Sequence, residues 1–114
     1  MIIQSDNNVP AQPVQVEGAH GVEIRLLVHQ AQGASNFYMR QFLLAAGGHT
    51  PRHSHAWEHE VYILAGEGEA WTGVEYRKIG PGDAVFVAPN EEHQFRNVGS
   101  GQLKFLCMIP SCGK

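Results

Sequence analysis

Near the start of the chain the clearest pattern is an alternation in which Val22, Ile24, Leu26 and Val28 take every second position, separated by Glu23, Arg25 and Leu27. Successive side chains of a strand point to opposite faces, so this period of two predicts a half-buried strand over 22–28. The next stretch, Ser35 to Ala46, carries two patterns. Phe37, Met39 and Leu43 suit a strand, while Phe37, Tyr38, Phe42 and Ala45 would share one helical face, and context favours the strand. Beyond it the sequence is punctuated at Gly47-Gly48, Gly66, Gly68, Gly73, Gly80-Pro81-Gly82, Pro89-Asn90 and Gly99-Ser100-Gly101, which leaves no room for helices. The pieces between, at 61–64, 70–72, 76–79, 84–87, 94–98 and 103–109, are mostly β-branched or aromatic and suit a pleated, half-buried surface. Short strands at this spacing predict an all-β sandwich or barrel.

A chain of 114 residues, 43% apolar and 17% charged, can bury one core and has no room for a second domain. Residues 1–20, polar at first and broken by Pro10 and Pro13, are expected to form an N-terminal arm that is ordered only where something holds it, and 21–114 the barrel. A net charge of −3 offers no basic field, so nucleic acid and anionic membrane are not expected partners. No apolar run approaches the roughly 18 residues of a membrane span, and Met1 to Gln15 lack a basic n-region and an apolar h-region. Cys107 and Cys112 form neither a CxxC pair nor a zinc-knuckle pattern, and a reducing compartment suits them. Together these features read as a soluble cytoplasmic protein.

The 7 histidines change the picture, because imidazole is the commonest protein metal ligand. His53 and His55 are two apart and share one face of an extended segment, and His59 keeps that parity if the turn between them preserves it. Glu60 has the opposite parity and points away unless a bulge intervenes. His93 opens a later strand, which a sheet closed on itself can bring opposite the first three. Two other readings stay open: a helix could pair His55 with His59, against Pro51 and the His53/His55 spacing, or all four could sit in surface turns with no metal. His59-Glu60 does not begin an HExxH motif, since position 63 is Ile63. His49, beside two glycines in an expected turn, and His20 and His29, at strand ends, read as solvated side chains.

The run Gly47, His53-x-His55, His59, Gly66 resembles the first cupin motif, G(x)5HxH(x)3E(x)6G, with His59 in the place of the glutamate. Gly82, Ala88, Asn90, His93 and Asn97 resemble the second, G(x)5PxG(x)2H(x)3N, with Ala88 replacing its proline and Asn90 its glycine. Asparagine visits the left-handed conformation such a turn requires. The stretch HSHAWEHEVYILAGEGE, with VAPNEEHQFRN and FLCMIP, is similar to the small single-domain manganese-type cupins that use four histidines. The resemblance implies a double-stranded β-helix, or jelly-roll barrel, and a homodimer, and the arm, with Val14 and Val16, is expected to cover an exposed edge by adding a strand to a neighbouring sheet. It also implies that His53, His55, His59 and His93 ligate one divalent ion, Mn(2+) first, with Fe(2+), Ni(2+) or Zn(2+) as alternatives. The commoner set of three histidines and a glutamate would require Glu60 instead.

Four neutral imidazoles leave the charge of a divalent ion uncompensated, so the expected partner is a small anionic or chelating molecule. Glu58, Glu60, Asn97 and backbone carbonyls are candidates to orient the imidazoles. Val61, Ile63 and Phe95 share parity with ligands and predict an apolar interior, Trp57 is placed at the mouth, and Cys107 shares the inward parity of Leu103, Phe105 and Ile109. Three functions follow. The first is a manganese- or iron-dependent oxidoreductase, dioxygenase-like, that activates oxygen or peroxide toward a small organic substrate. The second is a lyase or isomerase using the ion as a Lewis acid, which needs Glu60 turned inward as a base. The third is a non-catalytic metal or small-molecule binding protein. No Ser/His/Asp grouping or phosphate-cradling glycine loop is present in the sequence.

Overall fold

The computed structural model describes residues 1–113, and among these the elements are nine strands and three short 3-10 helices. The strands are β1 (Gln12–Pro13), β2 (His20–Val28), β3 (Phe37–His49), β4 (His59–Ala65), β5 (Gly68–Trp71), β6 (Tyr76–Ile79), β7 (Ala84–Val87), β8 (Gln94–Asn97) and β9 (Leu103–Pro110). All pairings are antiparallel, in the order β6-β5-β8-β3-β9-β4-β7, with β2 on the other edge of β3 and β1 outside β2. The long β3 is the hinge of this curled sheet. Phe37 to Leu44 pair with β9, and five residues later His49 pairs with Arg96 of β8, so one strand serves both walls. The expected all-β single-domain barrel is the fold formed. No helix among the described residues is long and apolar enough to cross a membrane.

Inner-face residues follow the period of two. Leu103, Phe105, Cys107 and Ile109 of β9 are buried at alternate positions, and Val61 and Ile63 of β4 face them. Phe95 and Phe105, 5.0 Å apart between ring centroids, form the floor beneath the site. The ambiguity over 35–46 resolves to strand, and its cause is visible. Tyr38 and Leu44 are buried inward, while Gln41 and Leu43 on the other face are buried as well, so no clean alternation survives.

What covers that outer face is the N-terminal arm. Gln41 Nε2 donates to Asp6 Oδ2 at 3.0 Å, Arg25 donates to Gln41 Oε1 at 2.9 Å and to the Val9 carbonyl at 3.0 Å, and Gln4 donates to the Leu27 carbonyl. These contacts tie the arm to its own chain, and its short strand β1 pairs with β2. A second difference concerns Gly47-Gly48, expected as a break. The strand runs through them to His49, because Gly47 takes a positive φ of 78° and a Cβ on Gly48 would lie 2.9 Å from the Gly21 and His20 carbonyl oxygens. The glycines bend β3 past β2 without ending it. His49 is accordingly a half-buried strand residue opposite His20 and not a turn residue.

Candidate metal centre

Three segments deliver the four histidines to one end of the barrel. His53 and His93 form an isolated antiparallel bridge, each N–H donating to the other's carbonyl at 3.1 and 2.9 Å. His55 is fixed next to them because its carbonyl accepts from Asn90 N–H at 2.7 Å, and Asn90 sits at φ 66°, the left-handed turn that its place in the second motif calls for. His59 is the first residue of β4, buried and paired with Val87. Nitrogens of His53, His55 and His93 all lie within 4.8 Å of one another. The ring of His59 has its centroid 4.5 Å from that of His55 and 5.0 Å from that of His93, and its Nε2 is 2.6 Å from His55 Nε2.

The outward nitrogens explain why the inward ones are free to bind. Nδ1 of His55 faces the Trp57 carbonyl and Nδ1 of His93 the Glu91 carbonyl, both at 2.8 Å. A carbonyl oxygen only accepts, so Nδ1 carries the proton and Nε2 keeps its lone pair for a cation. His59 Nδ1 lies 2.9 Å from Cys107 Sγ instead. Trp57 stacks on His55 at 4.2 Å with an 8° interplanar angle, and Gly113 closes on Trp57 so tightly that a Cβ there would lie 2.6 Å from the ring. A set of convergent, backbone-oriented nitrogen donors fits a divalent transition metal.

Glu60 is exposed on the outer face opposite Phe86 and Met108, as its parity predicts, and Glu58 lines an outer groove beside it. Neither orients an imidazole. Asn97 is also removed from that role: its Nδ2 donates to the Leu44 and Gly101 carbonyls and its Oδ1 accepts from Gly99 N–H, stapling the turn after β8.

Sequence reasoning missed Arg40. It shares the inward parity of Tyr38, Phe42 and Leu44, pairs with Cys107, and its Nη2 donates to Cys107 Sγ at 3.1 Å while lying 3.4 Å from His59 Nδ1. The cavity over the histidines has a volume of about 190 Å³, with apolar walls from Val14, Val22, Phe42, Phe95 and Phe105. Among the described residues its titratable lining groups are the four imidazoles, Arg40 and Cys107.

Burial is the main reason that His53, His55 and His59 have pKa values below the ordinary 6.5, with mutual repulsion adding to it. For His59, burial and then the Arg40 charge bring the value down to about 3. Burial pushes the Cys107 thiol up, with Arg40 opposing. All three imidazoles are therefore neutral near pH 7. The unfolded chain binds more protons than the folded one once the pH falls below 6.5, so stability is complete above that value and declines below it. The thermal midpoint of metal-free protein is expected to drop as pH is lowered from about 7 to about 4. A midpoint that stays level over this range while His→Gln replacements leave it unchanged would contradict the burial of neutral imidazoles.

A family profile described as a cupin domain matches residues 40–109. The 1-methylthio-D-xylulose 5-phosphate methylsulfurylase of Rhodospirillum rubrum is 37% identical over 71 residues, covering 62% of this chain and 46% of that protein, so the chain spans about half of that relative. An oxalate-binding protein of Thermotoga maritima is 30% identical over 112 residues, 96% of this chain and 93% of that one. Among solved structures, the polyketide cyclase RemF from Streptomyces resistomycificus superposes with a TM-score of 0.92 at 31% identity, covering 97% of this chain and 80% of that one.

Proposed function

The chain belongs to the cupin domain family, and on that premise we propose that it is a manganese- or iron-dependent oxidoreductase, dioxygenase-like, acting on a small organic anion. His53, His55, His59 and His93 would hold the ion. When bound, it supplies an uncompensated double positive charge and coordination positions open to a chelating anion and an oxidant. The observation that carries the reading is the composition of the cavity wall: cationic and neutral donors, apolar surfaces and, among the described residues, no carboxylate. Apolar side chains exclude water and strengthen the attraction for an anion.

The lyase or isomerase reading needs a side-chain base near the substrate. Glu60, its candidate, faces outward, and Cys107 is kept protonated by burial, so neither takes a proton there. Oxidation of a bound anion makes no such demand on the protein. The chain's own part is to fix the imidazole tautomers through the Trp57 and Glu91 carbonyls and to seat the substrate against Arg40, Phe42 and Trp57.

A second reading is favoured by the oxalate-binding relative, which matches nearly end to end: a protein that binds a small dianion without turnover. Oxygen uptake separates the two. Manganese- or iron-loaded protein is expected to consume oxygen with one of a panel of small carboxylates and β-dicarbonyl compounds, and His93→Ala to abolish it. Ligand-induced thermal stabilisation across the panel with no oxygen consumed would overturn the oxidoreductase reading in favour of binding.

A further inference from the structure

Arg40 is the one formal charge on the cavity wall, and no Asp or Glu pairs with it among the described residues. Every other feature of its position argues for an apolar residue. It lies on the inner face of β3, its guanidinium sits 5.0 Å over the Phe42 ring, and opposite it on β9 is Cys107. Its Nε is buried without a hydrogen-bond partner, and Nη2 is spent on a thiol sulfur, a weak acceptor. A cation placed among apolar and neutral groups with unsatisfied donors is destabilising unless an acceptor arrives from outside. The planar guanidinium matches the two oxygens of a carboxylate.

Resting on the metal-dependent reading above, we propose that Arg40 is the anion anchor of the site and sets its substrate class. The ligand is a small organic acid with two oxygen-bearing ends, a dicarboxylate or a 2-oxo or 2-hydroxy carboxylate. One end reaches the histidine cluster, where nitrogens of His53, His55 and His93 lie within 4.8 Å of one another, and a carboxylate at the other pairs with the Arg40 guanidinium. The 3.4 Å between Arg40 Nη2 and His59 Nδ1 places the anchor at the histidine end of the cavity, so a compact molecule spans both. Monoacids without a second oxygen group fill one half of this arrangement and bind more weakly.

The test uses oxalate as the probe in calorimetric titration of protein loaded with manganese, its metal content verified. Arg40→Met keeps the length of the side chain and removes the charge, and Arg40→Lys keeps the charge without the fork. The expected result is an affinity for oxalate about 10- to 100-fold lower in Arg40→Met, with a smaller loss in Arg40→Lys. Metal content should stay at the wild-type value, and the ligand-free thermal midpoint of Arg40→Met should equal or exceed that of the wild type. Unchanged oxalate affinity in Arg40→Met would overturn the assignment. So would a loss of oxalate binding that appears only together with a loss of metal and of thermal stability, because that pattern marks Arg40 as structural. If wild-type protein takes up no metal, the metal-dependent reading fails by itself. The anchor is then judged on the metal-free protein, where stabilisation by oxalate that Arg40→Met removes supports it, and absent or equal stabilisation overturns it.

Discussion

His59→Ala is expected to lower divalent-metal affinity by about 100-fold or more, while Glu60→Ala leaves both affinity and stoichiometry at the wild-type level. The contrast follows from the register of a single strand. β4 begins at His59, whose pairing with Val87 fixes its side chain inward, where Nε2 comes within 2.6 Å of His55 Nε2. Glu60 pairs with Phe86 and Met108 and is exposed on the opposite face, and a strand cannot present both residues to one point. Competition with a chelator of known affinity, combined with metal content per chain, reads the difference. If Glu60→Ala releases the metal and His59→Ala retains it, the ligand set is three histidines and a glutamate, and β4 is in the other register.

Gly66→Ala is expected to destabilise the fold by about 2–4 kcal/mol, lowering the thermal midpoint by roughly 10 °C, and Gly47→Ala by no more than about 1–2 kcal/mol. Both glycines belong to the first motif and both have positive φ, 93° at Gly66 and 78° at Gly47. Their surroundings differ. A Cβ at Gly66 would collide with the Gln102 carbonyl oxygen and lie 2.8 Å from Leu103 Cα, both backbone atoms that cannot turn aside. At Gly47 there is open space, so only the conformational strain of the left-handed region remains. Chemical denaturation of the two variants checks the order, and equal losses would mean that φ alone governs both positions.

Much of the strand placement along the chain was legible because single-faced strands write their burial into the sequence. The segments expected at 61–64, 76–79, 84–87 and 103–109 correspond to β4, β6, β7 and β9 within three residues at either end. Cys107 lies on the inward face of β9 as its parity with Phe105 and Ile109 requires. The histidines expected on one face are neighbours, with ring centroids 5.2 Å apart for His53 and His55, 4.5 Å for His55 and His59 and 4.9 Å for His53 and His93, and the nitrogens within 4.8 Å of one another are those of His53, His55 and His93. Illegible parts have physical causes. β3 is covered on both faces, so Gln41 and Leu43 obscured its period. The arm is held by side-chain hydrogen bonds, Gln41 donating to Asp6 and Arg25 to the Val9 carbonyl, which leave no periodic trace. Asn97 resembles a residue near the ligands by spacing alone, yet its amide is consumed by the turn at Gly99 and Gly101. Arg40 was hidden in the same ambiguous strand. Its signal was available in principle, as one charge at the parity of Tyr38, Phe42 and Leu44, and became readable only once strand and inward face were known.

Elemental analysis of the purified untagged protein, expressed with manganese, iron, cobalt, nickel, copper and zinc supplied together, tests most directly whether the histidine cluster is a metal centre. Raw affinity alone would rank copper and zinc above manganese and iron, so the metal retained reports what the site and its cellular supply select. The expected result is near one manganese or iron per chain, retained through dialysis and lost in His93→Ala. Protein that carries no metal, or only zinc that dialysis removes, would contradict it.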